Sequence, residues 1–248
     1  MFISTGNNFG AGTIQFKDYQ ANNYVVLNSK IAFNTSDADY QAASQLEIYV
    51  PDLSIDKSAA VGVFLRYIDR EDLYGSLRIY DGGTVVRSWI KDKNTIVIEK
   101  LTNFDDKEEQ YIYIYALYPT LNQGSNTIKG TKTALTFSQA TSYLHWEMDT
   151  YFVEFEHWVF LTMHLNRCDY THYDEVWEVP LNGFPANVTA DLPFCGGENY
   201  NSTAVDGMAE VHIENGVWTS DERGVGFNNT GYPPFLFAFL VKDEVSNE

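Results

Sequence analysis

Basic residues are scarce in this chain: 16 Lys and Arg stand against 34 Asp and Glu, a formal charge of −18. Affinity for a phosphate backbone comes from clustered Lys and Arg that release counterions, so this balance argues against nucleic acid as a partner and equally against an anionic membrane surface. Cysteine is nearly absent. Cys168 and Cys195 are the only two among 248 residues, too few to frame a disulfide scaffold, and whether they pair is left open by the sequence. No apolar run approaches the ~20 residues that span a bilayer. The opening residues Met1 to Asn8 have neither a basic segment nor an apolar core, so no signal peptide is expected and synthesis and folding in a cytoplasm are. Phosphate-cradling glycine loops, zinc-spaced cysteines and a nucleophile elbow are missing as well. No catalytic residue, metal site or cofactor is therefore expected, and the chain does not read as an enzyme.

What the chain has in excess is aromatic surface. Aromatics make up 15% of the residues, with 17 Tyr and 16 Phe, a composition that suits strands far better than helices. The length allows one large or two ordinary domains. The acidity is unevenly spread, net −5 through Tyr118 and −13 beyond it. Such a face is either a solvated surface or a place for divalent cations.

Strand signals recur along the chain. Tyr24 to Phe33 is β-branched and aromatic, and Leu46, Ile48 and Val50 alternate with Glu47 and Tyr49 up to Pro51. Further strands are expected at 60–67, 77–80, 84–90 and 95–101, with Asp81-Gly82-Gly83 supplying a hairpin turn. In 111–118, Ile112, Ile114 and Ala116 share one face and Tyr111, Tyr113 and Tyr115 the other. That tyrosine ladder suits cross-strand packing, a subunit interface or a saccharide platform. Pro119 to Thr133, rich in Asn, Gln, Gly, Ser, Thr and Lys, reads as a linker. The expected organisation is thus an N-terminal module at 1–118, a linker at 119–133 and a C-terminal module at 134–248.

In the second module, Tyr151 to Leu161 reads as one strand. The run from Val176 to Phe194 reads as a strand, a corner bounded by Pro180, Pro185 and Pro193, and a strand. Ala209, Val211 and Ile213 alternate with Glu210, His212 and Glu214 before Asn215-Gly216, the strongest two-residue hairpin signal of the chain. Phe235 to Val241 is apolar on both faces.

These landmarks suggest an internal repeat. Tyr24 to Phe33 parallels Tyr151 to Phe160, Leu46 to Pro51 parallels Val176 to Pro180, Leu77 to Gly82 parallels Val211 to Gly216, and Tyr111 to Tyr118 parallels Phe235 to Val241. Twenty-seven residues separate Tyr24 from Pro51 and 29 separate Tyr151 from Pro180. The fold class expected is all-β, as two tandem antiparallel β-sandwich, jelly-roll-like modules.

The corner Val179-Pro180-Leu181-Asn182-Gly183-Phe184-Pro185, the hairpin Val211-His212-Ile213-Glu214-Asn215-Gly216-Val217 and the closing strand Phe235 to Val241 resemble the β-sandwich modules of tail and receptor-binding proteins of phages infecting Gram-positive hosts. The arginine common at that corner is missing, since Phe184 runs directly into Pro185. The resemblance implies a virion component, a tail-fibre or receptor-binding adhesin, commonly a homotrimer. Its partners would be other tail or head proteins and a host cell-wall or surface polysaccharide. A purely architectural head fibre, collar or baseplate joint is the alternative, ahead of a carbohydrate-binding module or a glycosidase.

For saccharide, an exposed ring stacks on a pyranose while carboxylates and amides take its hydroxyls. Trp218, Asp221, Glu222, Asn228, Asn229 and Tyr232 are the candidates, with core the first reading of Trp218. His164, Cys168, Asp169 and His172, near Asp174 and Glu175, read as a transition-metal cluster or a solvated loop. The five carboxylates Asp169, Asp174, Glu175, Glu178 and Asp191 include the raw material for a glycosidase pair only if two flank one bond in space.

Overall fold

The computed structural model describes residues 3–5, 16–33, 45–49, 66–70, 77–81, 86–100, 110–120, 128–135, 147–148, 150–167, 178–195, 205–206, 208–220 and 235–244. Every regular element among them is a β-strand, and every strand pairing is antiparallel. The chain divides into two compact units. One comprises Met1–Arg70 with Tyr80–Ile128, and the other Glu71–Ile79 with Lys129–Glu248.

The first unit contains β1 (Ile3–Thr5), β2 (Lys17–Gln20), β3 (Tyr24–Phe33), β4 (Gln45–Tyr49), β5 (Arg66–Arg70), β7 (Val86–Asp92), β8 (Thr95–Lys100) and β9 (Gln110–Pro119). Strand β6 (Leu77–Asp81) precedes β7 in the chain. The centre is the ten-residue pairing of β3 with β9, flanked by β2 and β5. Val25, Leu27 and Ile31 share a face with Tyr118, Ala116 and Ile112 across the pair. This is the face that alternation assigns to a core, and Val25, Leu27, Ile31, Ile114, Ala116 and Tyr118 are buried. The opposite face is buried too. Val26, Asn28, Tyr113 and Tyr115 have little or no exposed surface, and the Lys30 ammonium lies 5.8 Å from the Tyr113 ring centre. The saccharide-platform reading of Tyr113 and Tyr115 is thereby corrected: both rings are interior, because β9 is covered on both sides. The side chain of Tyr111 lies outside the described residues.

A second sheet of this unit runs β1-β4-β8-β7. Leu46 and Ile48 of β4 face Ile98 and Ile96 of β8 and are buried, as the alternation requires. On the other face Glu47 pairs with Lys91 at 2.6 Å, an exposed ion pair of small energetic weight. The hairpin expected at Asp81-Gly82-Gly83 is corrected: β6 and β7 belong to different sheets, and β7 instead turns back onto β8 through Lys93-Asn94. Asp92 organises that turn. Its carboxylate accepts the Asn94 N–H at 2.9 Å, and this bond, with lesser help from Thr95 and Lys91, holds Asp92 below the usual carboxylate range. A carboxylate depressed in the fold adds stability above its unfolded pKa and loses it as pH falls through the folded one. Asp92→Ala should therefore raise amide exchange at Asn94 and Thr95 at neutral pH, and the difference from wild type should vanish on acidification below the carboxylate range.

The second unit contains β10 (Thr131–Ala134), β11 (Glu147–Met148), β12 (Tyr151–Glu154), β13 (Trp158–Arg167), β14 (Glu178–Pro180), β15 (Ala190–Cys195), β16 (Val205–Asp206), β17 (Met208–Glu214), β18 (Val217–Ser220) and β19 (Phe235–Val241). Nine strands form one sheet in the order β10-β12-β13-β19-β15-β17-β18-β14, with β11 beside β13. Thr131 to Thr133, assigned above to the linker, are thus strand residues. The single strand expected from Tyr151 to Leu161 is a hairpin: the Phe155 N–H donates to Trp158 O at 2.9 Å, and Tyr151 faces Thr162. Glu156 and His157, both exposed at its tip, are poor turn formers by type. The reversal is secured by the pairing and by Phe155 stacked on Trp158 at 3.9 Å rather than by local turn chemistry.

The buried side of this sheet follows the register. Phe152 sits opposite Leu161, Leu161 opposite Ala238, Val159 opposite Leu240, Leu192 opposite Val211, and Ile213 opposite Trp218. All nine are buried. Pro193 lies inside β15 rather than ending it. Proline is tolerated there because, among the described residues, β15 pairs with β19 only at Cys195 and Phe235, so few ladder bonds are lost on that side.

The corner after β14 locks onto the β17–β18 hairpin. Asn215 and Gly216 take φ of 52° and 71°, the left-handed pair that a two-residue turn needs. Leu181 N–H donates to Gly216 O at 2.8 Å and Phe184 N–H to Leu181 O at 3.0 Å. Leu181, Phe184 and Val188 are buried, with the Phe184 ring edge-on to Phe152 at 5.3 Å. A Cβ at Gly216 would stand 3.3 Å from Phe184 O, so Gly216→Ala is strained by its backbone and crowded by the corner. We expect it to cost about 1–2 kcal/mol in urea unfolding.

Tyr151 to Phe160, set beside the single strand β3 in the expected repeat, is instead broken by the hairpin of β12 and β13, and what the two units share is an antiparallel pairing with the closing strand, β3 with β9 and β13 with β19. Leu77 to Gly82, set beside the β17–β18 hairpin, does not match it either, since β6 and β7 belong to different sheets.

Candidate functional site

Trp218, placed on β18 between Ile213 and Val179 in the register, is fully buried. Its ring belongs to the core and offers no face for a sugar. Asp221, Glu222, Asn228, Asn229 and Tyr232 lie outside the described residues, as do Cys168, Asp169, His172, Asp174 and Glu175. His164 sits on β13 opposite Phe235. Among the described residues no group of three or more His, Cys, Asp or Glu is arranged to hold a metal ion.

The structure instead assembles a row on the opposite, outer side of the nine-stranded sheet. Asp191 of β15 faces His212 of β17, His212 faces Thr219 of β18, and Thr219 faces Glu178 of β14. Successive members of such a row are one strand spacing, ~4.8 Å, apart. His212 Nδ1 lies 2.6 Å from Asp191 Oδ1, and its Nε2 lies 3.7 Å from Glu214 Oε2 on the same strand. The Asp191 contact fixes the imidazole, with part of the ring in solvent.

Across β19 the same outer side is aromatic. Phe160 lies 5.3 Å from Phe239 and 5.4 Å from Phe237, and Tyr151 lies 6.2 Å from Phe160. The Lys132 ammonium stands 3.8 Å from the Tyr151 ring centre, a close cation–π contact. These rings are half-buried. Phe235 to Val241, apolar on both faces, is buried at Ala238, Leu240 and Val241 and half-buried at Phe237 and Phe239.

Of the carboxylates singled out in the sequence, the sheet places Glu178 and Asp191 in one row, with two strands between them. His212 was legible only as a polar position on an alternating strand. Its partnership with Asp191, 21 residues earlier, is set by the β15–β17 register and has no local signal.

The chain matches no family model, no curated protein and no solved structure.

Proposed function

We propose that this chain is a phage virion structural protein, a tail-fibre or receptor-binding adhesin, with its two units built as antiparallel β-sandwich, jelly-roll-like modules. The observation that carries the reading is the outer side of the nine-stranded sheet. There half-buried Tyr151 and Phe160, on β12 and β13, share the outer side with a row of Asp191, His212, Thr219 and Glu178 that begins beyond β19. Ring faces for stacking beside carboxylate, imidazole and hydroxyl groups form the usual composition of a saccharide site. The proposed site is thus this face rather than Trp218, with Asp221, Glu222, Asn228, Asn229 and Tyr232 retained as loop candidates. Single-site contacts of this kind are weak, and a homotrimer on a virion multiplies them.

The interlocked corner and hairpin support the same reading. The residues that resemble the phage modules are those that pin Leu181 and Phe184 into the core, a joint that carries no chemistry. Burial of Trp218, Tyr113 and Tyr115 favours the purely architectural role as the second reading.

The test is retention of the intact, folded protein on purified Gram-positive cell walls. Binding without release of reducing sugar is expected. Failure to bind any wall, with the oligomer intact, would leave the architectural role, and sugar release would make it an enzyme.

A further inference from the structure

The two outermost strands of the nine-stranded sheet are unlike. At β14, Leu181 N–H donates to Gly216 O, and the register continues to Val179 opposite Trp218. In an antiparallel pair alternate residues bond to the neighbour. Val179 and Leu181 therefore bond inward, while Glu178 and Pro180 turn outward. Proline presents no N–H, so this edge resists an added strand.

At β10 the pattern is reversed. Leu135 N–H donates to Thr150 O at 3.0 Å, and Thr133 and Thr131 follow opposite Phe152 and Glu154. These residues bond to β12, and Lys132 and Ala134 direct their N–H and C=O groups away from the sheet. The strand contains no proline, Thr131, Lys132 and Ala134 are exposed, and among the described residues β10 pairs with β12 alone. Ile128, three residues before the strand, is 43% exposed.

Charge then selects the partner. From Pro119 to Trp146 there is no Asp or Glu, in a chain that has 34. Of the five Lys and Arg beyond Tyr118, Lys129 and Lys132 are two. Pairing β10 with itself in a second copy would set lysines against lysines, whereas an acidic strand would neutralise them.

We propose that the free edge of β10 is a strand-addition site for an extended, acidic segment of another protein. That segment bonds to the backbone of Lys132 and Ala134 and sets carboxylates against Lys129 and Lys132. The site stands whether the chain is an adhesin or an architectural part.

The test uses the intact chain and a short dye-labelled peptide of alternating glutamate and valine, with a lysine–valine peptide as control. Ala134→Pro removes an outward N–H without touching the bonds to β12, and Lys132→Glu reverses the charge with the backbone unchanged. Wild type should bind the glutamate peptide and not the lysine one. Each substitution should weaken binding by about tenfold or more, the equivalent of one good hydrogen bond or charge contact. Bound peptide should slow amide exchange at Lys132 and Ala134 and leave Thr133, already bonded, unchanged. Equal binding to wild type and Lys132→Glu, or no new protection in β10, overturns the proposal. So does a free chain that is a dimer and becomes a monomer on Ala134→Pro, since a second copy then holds the edge. Should Ala134→Pro fail to fold, Lys132→Glu and amide exchange decide.

Discussion

Trp218→Ala should cost about 3–5 kcal/mol of stability, the range for deleting a large aromatic from a packed core. The indole is fully buried, in register with Ile213 and Val179, and the β17–β18 hairpin that carries it also anchors the corner through Gly216. The loss should appear as a lower urea midpoint at an unchanged slope, reported by amide protection in β17 and β18. Had Trp218 been a surface platform, its removal would change stability by no more than about 0.5 kcal/mol. Trp218→Phe should recover much of the loss, because most of the apolar volume returns.

Tyr113→Ala is the matching prediction for the first unit, and it should cost about 3 kcal/mol or more. Tyr113 has no exposed surface and sits opposite Lys30 in the pairing of β3 with β9. Its loss opens a cavity and removes the ring beneath the Lys30 ammonium. Amide exchange should accelerate along Val26 to Lys30 and their partners on β9. Unchanged protection there would mean that the tyrosine face is not packed.

Local signals were sufficient where structure is locally determined. Leu46 and Ile48 against Glu47 and Tyr49 gave β4 its buried side, Asn215-Gly216 gave a tight hairpin with two positive φ angles, and Pro180 and Pro185 bounded the corner, whereas Pro193 lies inside β15. Signals failed where tertiary pairing overrides them. The reversal at Phe155 to Trp158 carries no Gly, Pro or Asn, so the alternation from Tyr151 to Leu161 looked continuous. Asp81-Gly82-Gly83 has turn chemistry, yet the strands around it go to different sheets. Alternation in 111–118 told which residues share a face, and could not tell that both faces are covered. The outer row was least legible, because Asp191, His212, Thr219 and Glu178 meet only through three strand registers.

That row is the centre of the functional account, and His212 reports on it directly. Its Nδ1 is held at 2.6 Å by Asp191, so a ligand that takes hydroxyl contacts along the row must disturb the ring. The decisive measurement is the His212 imidazole resonance in the intact protein during titration with Gram-positive wall polysaccharide. The account predicts a saturable shift that Asp191→Asn weakens. Saturable binding that leaves His212 unmoved would contradict it, and would place saccharide recognition elsewhere on the chain.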